Sequence, residues 1–222
     1  DQIASLSNAH VAALSTAQVA GLSTDDLNAL TSAQFGQLSS AQAGALTSDQ
    51  IAHLQSSDLR ALSTGALRAL GSDQINALTT DQIGQLTNAQ VGALGTAQLA
   101  NLTTDNVHAL GSAQVATLSS AQVAALSSDQ IAALDAGDIA ALNVAAIRAL
   151  DSADFAAMST DQIVALTTAQ VAGLTSAQVA GLSTDHVAAL QTADLRALSS
   201  AAVAGLTSGQ FGALTPAPAG AL

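Results

Sequence analysis

The chain contains no cysteine, tryptophan or tyrosine, and it also lacks lysine and glutamate. Without cysteine there are no disulfides, no thiolate metal sites and no cysteine nucleophile. Three phenylalanines are the only aromatics in 222 residues, and the 49 % apolar share is built largely from alanine. A core made of such small pieces becomes large only by being long and thin. All sixteen acids are Asp and all four bases are Arg, which gives a net charge of −12. That sign repels phosphate backbones and anionic lipid, so nucleic acid and membrane surfaces are not the expected partners. No stretch approaches the ~18 uninterrupted apolar residues of a membrane helix, so membrane insertion is not expected. With the opening Asp1-Gln2-Ile3, no secretory leader is expected among these residues.

What is present is repetition. Leucine recurs from Leu6 to Leu222 at every eighth residue, and of those 28 positions only Met158 differs. With this leucine as position a of an octad a to h, position f is Ile, Val, Leu or Phe throughout, save Ala43 and Ala219. No insertion or deletion disturbs the register, so residues 1–222 are expected to form one continuous repeat array. Asp1 falls in the middle of an octad, which implies a segment of a longer array or a processed product.

The chemistry within the octad specifies a helix start. Position b is Ser or Thr in 19 of 27 units, and Gly, Asp or Asn in six more, the residues preferred at helix N-caps. Three residues later, position e is usually Gln, as in Ser15 and Gln18 or Thr47 and Gln50. This is a capping box, in which each side chain satisfies the other residue's backbone N–H. The leucine at a and the aliphatic residue at f then take the N′ and N4 places of a hydrophobic staple. Pro216 lies at c, the first helical position, where proline fits. Position c is itself Ser or Thr in 22 of 27 units, but capping from c forfeits both box and staple.

Each octad therefore reads as a short helix from c to h. A single continuous helix is disfavoured, because an eight-residue repeat rotates its apolar stripe by about 80° per unit and builds no fixed face. A β-solenoid is disfavoured by the scarcity of strand formers outside f. Ordering eight backbone residues outweighs the burial of two aliphatic side chains, so an octad cannot fold alone and must share its apolar face with neighbours. Ala and Gly at d, g and h are expected to permit close approach. The expected fold is all-α: a solenoid of very short helices, one per octad.

A longer period lies inside the short one. Asp occupies d at Asp1, Asp25, Asp49 and Asp73, then at Asp81, Asp105 and Asp129, then at Asp161 and Asp185, 24 apart within each set. Either roughly three octads complete one superhelical turn, so that these residues form columns, or the chain descends from duplication of a 24-residue block.

Candidate chemistry is sparse. His10, His53, His108 and His186 occupy e, h, g and e, and no two share the i, i+3 or i+4 spacing of a helical metal pair. His10 and His186 stand where the capping Gln would be. Asp at d or e falls in the first turn of a helix, where its charge complements the dipole. Arg60, Arg68, Arg148 and Arg196 all lie at g and are expected to neutralise nearby Asp. Phe35, Phe155 and Phe211 all lie at f and read as core. Asn101-Leu102-Thr103 forms a glycosylation sequon of the kind a Thr-rich chain contains by chance. No serine stands apart from its copies as a nucleophile. No catalytic, cofactor-binding or metal-binding residue is assigned, and no cofactor is expected.

The phrase Leu166-Thr167-Thr168-Ala169-Gln170-Val171-Ala172-Gly173-Leu174 resembles octad tracts in very large bacterial surface and secreted proteins of adhesin or haemagglutinin-like type. The resemblance implies an extracellular or cell-surface structural role, with self-association or a cell-surface or polysaccharide partner. The opening of the octad also resembles the first helix of the DNA-reading repeats of plant-pathogen effectors, but those repeats are about four times longer and basic. The expectation is a non-catalytic rod, spacer or filament module. The alternative is a binding module that presents Ser/Thr arrays to a repeating ligand such as polysaccharide or ice.

Overall fold

The computed structural model describes residues 2–214. Asp1, Pro216, Ala219 and Leu222 lie outside the described residues. Among those described, a 3-10 turn at Ile3–Ser5 is followed by 26 α-helices of four to six residues and no strand. One helix starts at position c of each octad, and b is its N-cap in extended conformation, as at Thr47 (φ −78°, ψ 159°). The following leucine is extended too, as at Leu54 (φ −64°, ψ 141°). Two extended residues therefore separate each stub of helix from the next, and they redirect the chain.

The capping box forms as the spacing predicts. At Thr47 the cap hydroxyl accepts the Gln50 backbone N–H at 3.1 Å, and Gln50 Oε1 accepts the Thr47 backbone N–H at 2.8 Å. Where b is Gly71, Gly95 or Gly111 the hydroxyl half is missing, but the glutamine half persists at 2.6–2.9 Å. Gln55 and Gln191 at b provide no side-chain cap.

The described residues fall into two compact units that divide between Leu110 and Gly111. Within the first, the helix Ser40–Gly44 packs on Thr64–Arg68, and Ser32–Phe35 packs on Ser56–Ala61. Within the second, Ser120–Val123 packs on Val144–Ala149, and Ser152–Ala157 on Ser176–Gly181. The packing partner is three octads away in each case, so roughly three octads make a turn of an all-α solenoid in both units. The 24-residue Asp period coincides with this stacking. Asp25, Asp49 and Asp73 stand on the helices Thr24–Ala29, Ser48–His53 and Ser72–Asn76, which pack in succession, and all three are exposed.

The core is a seam of positions a and f. Residues at f such as Ile51, Leu59, Ile131 and Val171 are fully buried, and the leucines at a are nearly so. Phe35 and Phe155 join this seam, whereas Phe211 is 56 % exposed. The reading of all three as core therefore fails at Phe211. It lies in the last described helix, Ser208–Ala213, with no later described octad over it.

Close approach occurs at g and h but not at d, which faces solvent. Gly181 and Gly205 serve that approach and not chain reversal, because no described residue has positive φ. A Cβ on Gly181 would stand 2.5 Å from the Ser152 carbonyl oxygen, and one on Gly205 the same distance from that of Ser176.

Candidate functional site

Position e does more than cap its own helix. Gln50 is 3 % exposed, and its Oε1 is used in its own capping box. Its Nε2 points the other way, across the solenoid. It donates to the carbonyls of Leu22 at 2.7 Å, Val19 at 3.1 Å and Ala20 at 3.3 Å. Those oxygens end a helix four octads earlier and begin the octad after it. The short helices thus terminate without an αL glycine: Val19 O also accepts the Leu22 N–H at 3.2 Å, and the amide from a later turn supplies a donor to the Ala20 and Leu22 carbonyls.

The same bridge recurs with little variation. Gln42, Gln82, Gln90, Gln98, Gln162, Gln170, Gln178 and Gln210 each donate to the carbonyls 28 and 31 residues before them. A single buried side chain therefore closes the start of its own helix and the end of another. The sequence did hold a signal for the second half. Glutamate completes a capping box as well as glutamine does, yet it never appears. Only a side chain with both an acceptor and a donor at its tip can make the bridge.

Substitutions at e follow the same rule. Asn106 keeps the amide and donates to the Leu78 carbonyl at 3.1 Å. Asp58, Asp138, Asp154 and Asp194 have no donor and are nevertheless buried. Each accepts a hydroxyl from position c three octads back: Ser32, Ser112 and Ser128 at 2.7 Å, and Thr168 at 3.0 Å. The placement of Asp at d or e in a first turn is as expected. For these four, however, inter-turn hydrogen bonding adds to the dipole interaction. At His186 burial pushes the imidazole below its ordinary pKa, partly offset by the Asp185 carboxylate and a hydrogen bond to the Met158 carbonyl.

The remaining candidates do not converge. His10 caps its own helix through Ser7, and the exposed His53 lies 3.4 Å from Asp49 on the same helix. His108 stands at g, on the outer side. Among the described residues no group of three His, Cys, Asp or Glu side chains could hold a metal ion. The expectation that the arginines neutralise nearby Asp is not met, since no ion pair joins any of the four to an Asp among the described residues. All four are exposed, and exposed pairs stabilise by only about 0–1 kcal/mol, too little to draw the side chains together. One open depression is lined by Thr47, Ser48, Gly71, Ser72, Asp73 and Gln74, where Gly71 leaves out the capping hydroxyl. It consists of the same repeating groups found elsewhere. No described helix is long and apolar enough to cross a membrane.

The bridge links octads across about four units, and the chain matches a known repeat description in eight overlapping stretches: residues 1–31, 19–56, 51–88, 88–120, 104–136, 131–168, 164–192 and 187–222. The chain belongs to the ALTTAQ repeat family. Residues 165–170 spell the family's name, with the cap at Thr167 and the bridging amide at Gln170. The buried glutamine is thus the last letter of the repeat's signature. No curated protein matches this ALTTAQ array.

Proposed function

We propose that this ALTTAQ array is a non-catalytic structural module of an extracellular bacterial fibre or giant adhesin, acting as a rod or spacer and open to self-association. One observation carries the reading: the same buried Gln bridge recurs in many octads of both units, so turns are joined by repeated bonds of one kind. Catalysis requires unlike groups that converge once, whereas this arrangement multiplies like groups along a line. The composition supports the same use. Four Arg and no Lys leave few sites for trypsin-like proteases, which suits an exposed location. Negative-stain electron microscopy of arrays of increasing octad number tests the proposal. Rods or filaments whose length grows in proportion are expected, and compact particles of constant diameter would overturn it.

A second reading has its own support. Ser152, Ser176 and Ser200 occupy position c on the helices Ser152–Ala157, Ser176–Gly181 and Ser200–Ala204, which pack in succession, and all three are exposed. Such a hydroxyl column suits a repeating ligand such as a polysaccharide or ice. Glycan pulldown and thermal-hysteresis measurements decide that reading, and silence in both removes it.

A further inference from the structure

His186 is the one buried histidine that takes the bridging position, being 6 % exposed in the helix Thr184–Ala189. Its Nδ1 accepts the Ser183 backbone N–H at 3.3 Å, in the place of a glutamine Oε1. Its ring also donates to the Met158 carbonyl, 28 residues back, in the place of a glutamine Nε2. With Nδ1 accepting, the donor is Nε2–H. Neutral imidazole in that tautomer therefore has one acceptor and one donor, as an amide does. We propose that His186 makes its turn of the solenoid a pH-sensitive joint, which is closed when the ring is neutral and loosened when it is protonated.

The physical reason lies in the cap. An imidazolium carries a proton on both nitrogens, so Nδ1–H would point at the Ser183 N–H and the acceptor of that backbone group would be lost. Glutamine cannot undergo this change. Charges around the ring bear on the direction. Asp185, next to it on the same helix, favours the protonated ring. Of the helices packed against this one, Thr160–Val164 carries the exposed Asp161, and Ser208–Ala213 carries no ionisable side chain. The helix that ends at Met158 carries Asp154, whose carboxylate is taken up by the Asp151 N–H and the Ser128 hydroxyl. Burial outweighs Asp185 and holds the ring below its ordinary pKa of 6.5. The unfolded chain therefore binds the proton first. Stability contributed at this joint is fully present above about pH 6.5 and falls as pH drops through that value to the lower pKa of the folded state.

His186→Gln in the full chain provides the test, because it restores the family's own residue and introduces no cavity. Amide protection factors for residues 183–190 are measured from pH 7.5 to 5.0 in both proteins. Loss of protection is expected in the native chain as the pH falls below about 6.5, and none in His186→Gln. The imidazole titration of His186 gives a second measurement. It is expected below the ordinary imidazole value of 6.5. Equal loss of protection in both proteins, or a His186 that titrates at or above that ordinary value, would overturn the proposal.

Discussion

At the residue scale, the glutamine at e joins the start of its own helix to the end of another. Gln90 is 2 % exposed and bonds the carbonyls of Leu59 and Leu62 at 3.0 and 2.9 Å. Gln90→Ala is expected to cost about 2–4 kcal/mol, since a buried acceptor left without its partner costs about 1–3 kcal/mol by itself. Gln90→Glu should be worse at neutral pH, with about 3–5 kcal/mol lost to a buried, uncompensated charge facing carbonyl oxygens. Part of that loss should return below pH 5, as the carboxyl takes up a proton and becomes a donor. Denaturant unfolding of the two variants at pH 7 and 4.5 checks both the order and the reversal. Gly181→Ala gives a different kind of test. Its added methyl meets the Ser152 backbone, which cannot swing away, so a loss of about 1–3 kcal/mol is expected. Gly212→Ala meets nothing within 4 Å and should leave the melting temperature unchanged or slightly raised.

At the scale of the element, the helices are too short to form by propensity, and their boundaries are fixed by caps and neighbours. This is why so much of the octad was legible in advance. Ser or Thr at b, Gln at e and the aliphatic pair at a and f place every helix start without reference to distant residues. The ends of the helices were less legible, because their carbonyls are satisfied by side chains 28 to 31 residues later, a link no local pattern displays. Asp154 was hidden in the same way, since its partner Ser128 lies three octads back and resembles every other hydroxyl at c. Removal of a cap should act locally. Thr87→Ala, which deletes the hydroxyl that accepts the Gln90 N–H at 3.2 Å, is expected to cost about 1 kcal/mol. Hydrogen exchange should place the effect in residues 87–94 and in the turns on either side, and a uniform loss across the chain would contradict it.

At the scale of the whole molecule, the octads are interchangeable only in steps of eight. Deleting residues 86–93 moves Gln98 and its successors back by one whole unit, where each still finds carbonyls of the same kind at the same reach. The shortened chain is expected to keep its helical circular dichroism per residue. Deleting residues 86–89 instead puts the amides opposite helix interiors whose carbonyls are already bonded, and cooperative unfolding should be lost from the surrounding turns.

The bridge also has a direction. Every bridging glutamine at e reaches toward lower residue numbers, so the oxygens it seeks have left the ribosome or a secretion channel before the glutamine does. A chain that emerges from its amino end can lock each octad onto structure already outside, and each new glutamine closes a helix end left open there. Lengthening the array adds further closing events of the same short span. The time needed to fold the newest octad is therefore independent of how many precede it.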